Sequence, residues 1–241
     1  MSVSAILETI SLQWRDARGR LLDLLFPPRC VGCRQIGDWL CTTCQSQIPR
    51  VEPPFCVRCG NSVVTGDLCA RCRTAPLDID RIRAAVYFEG ALREAVHHLK
   101  YKGRTALAKP LGNLMAAYWR QHPMPAEVVV AVPLHATRLR ERGYNQAALL
   151  ARELARQVGL TVKEGTLERK RATAPQVDLS AQQRRENVRD AFSCRDDELS
   201  GKRVLLVDDV CTTGATLEAC AVALRENGAR SVQALTLARA R

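Results

Sequence analysis

The feature that most constrains this chain is a run of four Cys-x-x-Cys pairs near its N-terminus, which together hold eight of its eleven cysteines. The pairs are Cys30/Cys33, Cys41/Cys44, Cys56/Cys59 and Cys69/Cys72. Each such turn directs two sulfur atoms at one point, and two turns supply the tetrahedral set of four thiolates that Zn²⁺ prefers. Because four sulfur ligands leave no open coordination position, the pattern predicts two structural zinc sites.

The pairing of the turns stays open at this stage. We favour two small zinc ribbons, each closed locally by four consecutive cysteines, over a cross-braced arrangement of first turn with third and second with fourth. A disulfide-stapled extracellular domain is a less favoured alternative, because charged residues near the N-terminus interrupt any secretory signal and a reducing cytosol keeps thiols free. Apolar residues are scarce between Cys30 and Cys72, so we expect the metal to supply much of the folding free energy.

Composition separates this cysteine-rich part from the rest of the chain. The 241 residues are 46% hydrophobic and 25% charged, a globular balance that argues against wholesale disorder. Residues 1–80 carry a net charge of +1 and residues 81–241 carry +10, whereas the cysteines are concentrated in the first part. No apolar run approaches the ~20 residues of a membrane span. We therefore expect a cytoplasmic protein with no transmembrane segment.

The chain divides into three predicted parts. Residues 1–27 form an amphipathic helix, residues 28–76 the double zinc ribbon, and residues 77–241 a larger α/β domain. The helix prediction rests on apolar residues at helical spacing, namely Ile6, Leu7, Ile10, Trp14, Leu21, Leu22 and Leu25. Packing against its own protein is favoured for this helix over binding to a membrane or a partner.

Strands alternate with helices in the third part. The predicted strands are Ala84–Phe88, Val128–Val132, Val204–Val207 and Ser231–Leu237. The predicted helices are Leu92–Lys100, Leu107–Arg120, Tyr144–Val158 and Thr216–Asn227. This alternation predicts a parallel sheet with helices on both faces, and ligands of such sheets bind at the carboxyl ends of the strands.

The most informative segment follows the strand Val204–Val207. Two adjacent carboxylates, Asp208 and Asp209, are expected at the end of this strand. A turn of small residues, Thr212 to Thr216, then opens onto a helix. Free N–H groups at a helix N-terminus attract phosphate, while paired carboxylates suit vicinal hydroxyls or a nearby metal. A ribose 5-phosphate satisfies both demands.

This segment resembles the signature loop of type I phosphoribosyltransferases, which bind 5-phosphoribosyl-1-pyrophosphate. The resemblance extends over nearly the whole chain. The four Cys-x-x-Cys pairs, Lys100-Tyr101-Lys102-Gly103, Val132-Pro133-Leu134-His135 and Arg142-Gly143-Tyr144-Asn145-Gln146 resemble the ComF/GntX family. That family joins a double zinc ribbon to a type I phosphoribosyltransferase-like domain, and its members are associated with DNA uptake in competence or with gluconate utilisation.

The resemblance implies roles for particular residues. As catalytic residues, Asp208 and Asp209 would hold the ribose hydroxyls. The 5′-phosphate would be cradled by Thr212, Thr213, Gly214, Ala215 and Thr216. The pyrophosphate would lie near Arg138, Arg142, Gly143 and Asn145. Mg²⁺ would accompany the substrate, and the phosphoribosyl group would pass to an unknown nitrogen nucleophile. A DNA-uptake helicase or processing protein is a candidate partner.

Two alternatives remain beside this interpretation. Some purine-salvage relatives carry an acidic proton acceptor in the loop where this chain has Thr212, so purine salvage is not favoured. The rival hypothesis is a non-catalytic protein that binds single-stranded DNA and uses the phosphoribosyl fold as a docking surface, as its net charge of +10 over residues 81–241 suggests.

Two segments of the larger domain also have two interpretations each. Arg138, Arg140 and Arg142 are closely spaced and expected in a loop, where they would bind either phosphate ligand or form a solvated basic face. The polar insertion that begins at residue 169 is either a lid or a surface connection.

Overall fold

The computed structural model describes residues 27–75, 77–171 and 190–241. All but the last residue of the helix predicted over residues 1–27 lie outside the described residues, as do residues 172–189 of the polar insertion. None of the described helices is long and apolar enough to span a membrane. The boundaries at residues 28, 77 and 241 stay predictions.

The strands are β1 Arg81–Tyr87, β2 Val128–Ala131, β3 Thr161–Val162, β4 Leu167–Arg169, β5 Phe192–Cys194, β6 Arg203–Cys211 and β7 Ser231–Arg239. The helices are α1 Thr42–Ser46, α2 Ala70–Thr74, α3 Gly90–Tyr101, α4 Ala108–Gln121, α5 Ala136–Arg142, α6 Gln146–Val158 and α7 Ala215–Glu226. A 3₁₀ turn, Thr105–Leu107, precedes α4.

A five-stranded sheet in the order β1-β7-β6-β2-β3 forms the centre of the larger domain. Each neighbouring pair of strands in it is parallel, which confirms the predicted parallel sheet. A separate antiparallel pair, β4 with β5, was not predicted from the sequence. Because the sheet is parallel, the carboxyl ends of β2 and β6 lie side by side at one edge.

Helices cover both faces of this sheet, as the alternation of elements predicted. Leu205 and Val207 pack with α3, α4 and α6 on one face, whereas Val204 and Leu206 pack with α7 on the other. Successive residues of a strand point to opposite faces, so the uninterrupted apolar run of β6 serves both layers. Each fully buried aliphatic side chain contributes roughly 1.5–3 kcal/mol.

The four helices predicted from the sequence are confirmed to within two residues at each end. The strands fit less closely, because β1 begins three residues before the predicted Ala84 and β7 continues two residues past the predicted Leu237. Two further expectations are wrong. The strand predicted to end at Val207 continues through both aspartates to Cys211, because β7 goes on pairing with it as far as Arg239. The arginine-rich segment forms the helix α5 instead of a loop, and His135 caps it through Nδ1, which accepts a hydrogen bond from the Thr137 N–H at 3.3 Å.

The zinc ribbons pack against the edge strand β1. Between the two ribbons, the Val51 N–H donates to the Ala85 carbonyl at 3.3 Å, and the Tyr87 N–H donates to the Pro49 carbonyl at 2.9 Å. In the second ribbon the Arg58 carbonyl accepts the Ile82 N–H at 2.7 Å. These bonds cover the free edge of the sheet and attach the cysteine-rich part to the larger domain.

Candidate functional site

The eight cysteines form two compact groups. Cys30, Cys33, Cys41 and Cys44 make one, and Cys56, Cys59, Cys69 and Cys72 make the other, with all sulfur atoms of a group within 4.8 Å of one another. The Sγ atoms of Cys33 and Cys41 are 3.6 Å apart, as are those of Cys59 and Cys69. Four sulfurs at the usual Zn–S bond length of ~2.3 Å stand about 3.8 Å apart, so both groups fit zinc. The local pairing is confirmed, and the cross-braced alternative is wrong.

The loop after β6 is a tight turn that leads directly into α7. Gly214 adopts a left-handed conformation (φ 80°) and is the N-cap residue of α7. Thr213 Oγ1 accepts a hydrogen bond from the Ala215 N–H at 3.4 Å. A Cβ atom on Gly214 would lie 3.0 Å from Cδ1 of Ile82, so both conformation and space favour glycine here. Thr212 is exposed, Thr213 and Thr216 are half-buried, and Ala215 is buried in the first turn of the helix.

Asp208 and Asp209 lie at the carboxyl end of β6, on opposite faces of the strand. Asp209 is directed toward the face covered by α3, where its Oδ2 lies 2.6 Å from Nζ of Lys100. Each carboxylate also accepts the N–H of the next residue at 2.8 Å, which fixes its orientation. Burial and the neighbouring Asp209 charge raise the pKa of Asp208 to about 8, against the opposing influence of Lys100.

The basic residues predicted for pyrophosphate follow β2, beside the aspartates. Arg138 is exposed on α5, whereas Arg142 is half-buried, donates to Oε1 of Gln146 and lies 5.4 Å from the ring centre of Tyr101. Gly143 ends α5 in a left-handed conformation with φ 81°. The structure therefore brings this segment to the same sheet edge as the Thr212–Thr216 loop, because β2 pairs with β6.

Asn145 has a structural task at this edge. Its side-chain Nδ2 donates to the Val132 carbonyl at 2.9 Å, and its Oδ1 accepts the Ala147 N–H at 3.0 Å. The residue therefore caps α6 and ties that helix to the end of β2. Its amide positions the segment that was predicted to bind pyrophosphate.

A cavity of about 570 Å³ lies beside the carboxyl end of β2. Its lining includes Gly143, Tyr144 and Asn145, together with residues of α6 and β4. Arg152 and Glu164 form an ion pair at 2.5 Å on its wall. The cavity borders the segment predicted for pyrophosphate and not the Thr212–Thr216 loop.

Two residues at the site were not assigned a role by sequence reasoning. Lys100 belongs to the segment that carried the family resemblance, but its pairing with Asp209 could not be seen without the position of α3. Arg71, in the second ribbon, donates from Nη1 to the Thr213 carbonyl at 2.5 Å. No signal in the sequence could have found this contact, because 142 positions separate the two residues.

Comparisons with known proteins agree with this architecture. Residues 21–73 match the model of the double zinc ribbon domain, and residues 141–241 match that of the phosphoribosyl transferase domain. The chain is 33% identical to the DNA utilization protein YhgH of Escherichia coli (strain K12), over 90% of this chain and 99% of that protein. It is 32% identical to competence protein F of Haemophilus influenzae, over 88% of this chain and 97% of that protein.

Solved structures are also similar to part of this chain. The glutamine phosphoribosylpyrophosphate amidotransferase of B. subtilis, complexed with ADP and GMP, is 23% identical with a TM-score of 0.39. The match covers 54% of this chain and 26% of that one.

Proposed function

Because the chain belongs to the ComF/GntX family, which joins a double zinc ribbon to a phosphoribosyltransferase domain, we propose that it binds 5-phosphoribosyl-1-pyrophosphate with Mg²⁺ at the β6–α7 edge. The reaction proposed is transfer of the phosphoribosyl group to a nitrogen nucleophile. The observation that carries the proposal is the loop of residues 212–216, a strand-to-helix turn with a left-handed glycine at the helix start.

Each part of the substrate has a candidate partner at this edge. The 5′-phosphate would lie at the N-terminus of α7, whose first N–H groups have no carbonyl partner within the helix. Asp208 and Asp209 would hold the ribose hydroxyls, and Lys100 would keep the Asp209 carboxylate in place. Mg²⁺, when bound with the substrate, would neutralise charge on the pyrophosphate.

The chemistry would require positioning and charge stabilisation. The bond from the anomeric carbon to pyrophosphate breaks as the bond to nitrogen forms, through a transition state that resembles an oxocarbenium ion. The Asp209 carboxylate beside the ribose would stabilise this electron-poor ring, and the guanidinium groups of Arg138 and Arg142 would offset charge on the leaving pyrophosphate. No residue of the loop is proposed as the base, because Thr212 stands where some relatives carry an acid.

Calorimetric titration with phosphoribosyl pyrophosphate and Mg²⁺ tests the binding. We expect saturable binding to the wild-type protein and at least tenfold weaker binding to Asp208→Asn. The matched control is Asp197→Asn, which makes the same substitution at an exposed acid outside the site. Absence of binding to the wild-type protein would contradict the proposal. Equal binding by Asp208→Asn would show that Asp208 does not contribute to binding. A screen for pyrophosphate release across amines and bases would then identify the nucleophile.

The names of the relatives favour a link to DNA. Relatives are called DNA utilization protein and competence protein, so we propose that this chain also acts in DNA uptake or use, together with a helicase or a processing protein.

A second candidate function is direct binding of single-stranded DNA. The observation that favours it is Tyr101, which is 63% exposed and has the guanidinium of Arg142 at 5.4 Å from its ring centre. An exposed ring beside cationic groups is the platform on which a base can stack, worth about 1–3 kcal/mol per base. We expect Tyr101→Ala to weaken binding of a labelled oligonucleotide, and Tyr101→Phe to retain it. Binding that does not fall steeply between about 50 and 200 mM salt would contradict phosphate contact.

A further inference from the structure

The second zinc ribbon reaches the loop proposed to bind the sugar phosphate. Arg71 lies on α2, between the zinc-binding residues Cys69 and Cys72, and its Nη1 donates to the Thr213 carbonyl at 2.5 Å. Among the described residues, no carboxylate forms an ion pair with Arg71, which is half-buried. The guanidinium is therefore held against the backbone of the loop by the fold of the ribbon.

This hydrogen bond fixes one peptide group of the loop. A carbonyl oxygen that pointed into an anion site would repel the anion, and the bond to Arg71 keeps the Thr213 carbonyl on the side of the ribbon. Since the peptide is planar, the same bond sets the plane from which Gly214 enters its left-handed conformation (φ 80°) and starts α7. The positive charge of the guanidinium also lies beside the helix end that attracts phosphate.

A second line of contacts joins the other metal-binding turn of this ribbon to the same loop. Gly60, next to Cys59, packs so closely on β1 that a Cβ atom would lie 2.7 Å from the Ile82 carbonyl oxygen. The Ile82 side chain in turn touches Gly214, where a Cβ would be 3.0 Å from its Cδ1. The side chain of Arg239 donates to the Cys59 carbonyl and anchors this turn on β7.

The first ribbon packs against a different part of the larger domain, at the start of α3. Gly32 packs against Ala91 at the start of α3, where a Cβ would be 2.8 Å from the Ala91 side chain, and the Trp39 ring lies 4.7 Å from the guanidinium of Arg104. Within the part of the chain that the structure describes, no hydrogen bond or ion pair joins residues 28–48 to residues 208–216. The two ribbons therefore differ in their relation to the loop.

We propose that the second ribbon is a working part of the sugar-phosphate site: Arg71 is a positioning residue for the Thr213–Gly214 peptide, and affinity for the sugar phosphate depends on metal in the second cysteine group and not in the first. This inference rests on the proposed function, because it concerns the same loop. It also gives the ribbon a task beyond stabilising the fold.

Titration of the zinc-loaded full chain with ribose 5-phosphate, and separately with pyrophosphate and Mg²⁺, tests the role of Arg71. We expect Arg71→Ala to weaken ribose 5-phosphate binding about tenfold, the size expected for a lost charge-assisted hydrogen bond, and to leave pyrophosphate binding unchanged. Arg71→Lys, which retains the charge, should recover part of the loss. The matched control is Arg73→Ala, which removes an exposed arginine from the same helix and should bind as the wild type does.

The outcomes separate the two proposals. If the wild type binds neither ligand, the proposed function fails and this inference fails with it. The positioning role of Arg71 is wrong, and the proposed function stands, if the wild type binds ribose 5-phosphate and Arg71→Ala binds it equally well. The same conclusion follows if Arg71→Ala loses affinity for both ligands to the same extent.

A pair of cysteine variants tests the dependence on metal. Cys69→Ser and Cys33→Ser each remove the most accessible ligand of one group. We expect both to lose one metal ion by native mass spectrometry, and only Cys69→Ser to lose affinity for ribose 5-phosphate. Equal loss in both variants, or loss in Cys33→Ser alone, would overturn the proposal. If Cys69→Ser does not fold, the comparison of Arg71→Ala with Arg73→Ala decides, because neither residue is a metal ligand.

Discussion

Nζ of Lys100 lies 2.6 Å from Oδ2 of Asp209, and the side chains of the two residues are 22% and 4% exposed. The pair joins the last turn of α3 to the end of β6. Burial is the largest single influence and lowers the pKa of Lys100, but Asp209, with smaller contributions from Asp208 and Tyr101, raises it, and the net pKa lies above the ordinary value. The ammonium group therefore stays charged at neutral pH and compensates a buried carboxylate at the edge of the sheet.

Removal of Lys100 should destabilise the protein strongly. Lys100→Met leaves the Asp209 carboxylate buried without its counter-ion, and loss of one partner of a buried pair typically costs about 3–5 kcal/mol. We expect the free energy of unfolding, measured in urea, to fall by about 3 kcal/mol. The double variant Lys100→Met/Asp209→Asn should recover most of the lost stability, since no uncompensated charge remains.

An exposed pair supplies the matched control. Lys163 and Glu198 approach to 2.8 Å with side chains 39% and 51% exposed. Lys163→Met should change the free energy of unfolding by less than about 1 kcal/mol, because water and salt screen such pairs. If Lys100→Met lowers the free energy of unfolding as little as Lys163→Met does, the buried pair contributes no more to stability than the exposed pair.

The contribution of Asp208 to stability should fall as pH rises from about 4 to about 8. Its pKa is about 8 in the folded chain, raised by burial and by Asp209, whereas an unfolded aspartate titrates near pH 4. Between these values the folded state holds a proton that the unfolded state has released, so each step upward in pH favours unfolding. Asp208→Asn should flatten this dependence in urea unfolding at pH 5 and pH 8. An identical pH profile for the variant would contradict the raised pKa.

The metal content should be two zinc ions per chain. Each group of four sulfurs has the spacing of a closed tetrahedral site, and a closed site holds its metal through purification. Elemental analysis should therefore give two zinc ions for the wild type and one for Cys56→Ser. A wild-type value of one or none would contradict the assignment of both groups.

Gly214→Ala should damage the loop more than a comparable glycine substitution elsewhere. The left-handed backbone makes alanine unfavourable by roughly 1 kcal/mol, and the new Cβ would press against Ile82. Gly165 has a similar φ of 78°, but a Cβ atom there would have nothing within 4 Å. Gly165→Ala therefore has the backbone strain without a steric clash and serves as the control. We expect only Gly214→Ala to lose binding of phosphoribosyl pyrophosphate by calorimetry. Wild-type affinity in that variant would show that the loop does not contact the ligand.

Much of the fold could be predicted because its signals are local. The Cys-x-x-Cys turns predict the two sulfur groups directly, and the apolar run of Val204–Val207 predicts a strand buried on both faces. The end of that strand could not be read from the residues. Asp208 and Asp209 are poor strand formers in general, yet they continue β6 because β7 supplies hydrogen-bond partners beside them.

The site was less predictable, because its contacts join distant segments. The predicted loop of arginines is the helix α5, and this difference leaves Arg138 exposed while Arg142 packs on Tyr101. The pairing of Lys100 with Asp209 and the contact of Arg71 with Thr213 both depend on how separate elements pack. Patterns along a sequence describe periodicity within an element and carry no information about such packing.

The cover that the ribbons give to β1 has a consequence for handling the protein. An uncovered edge strand presents a row of unpaired N–H and C=O groups, which is a template for aggregation. Residues 49–58 make this cover and are held in place by the cysteine groups. A chelator that removes the metal would therefore also expose the edge strand β1. We expect the stripped protein to precipitate, with light scattering that rises as the metal leaves.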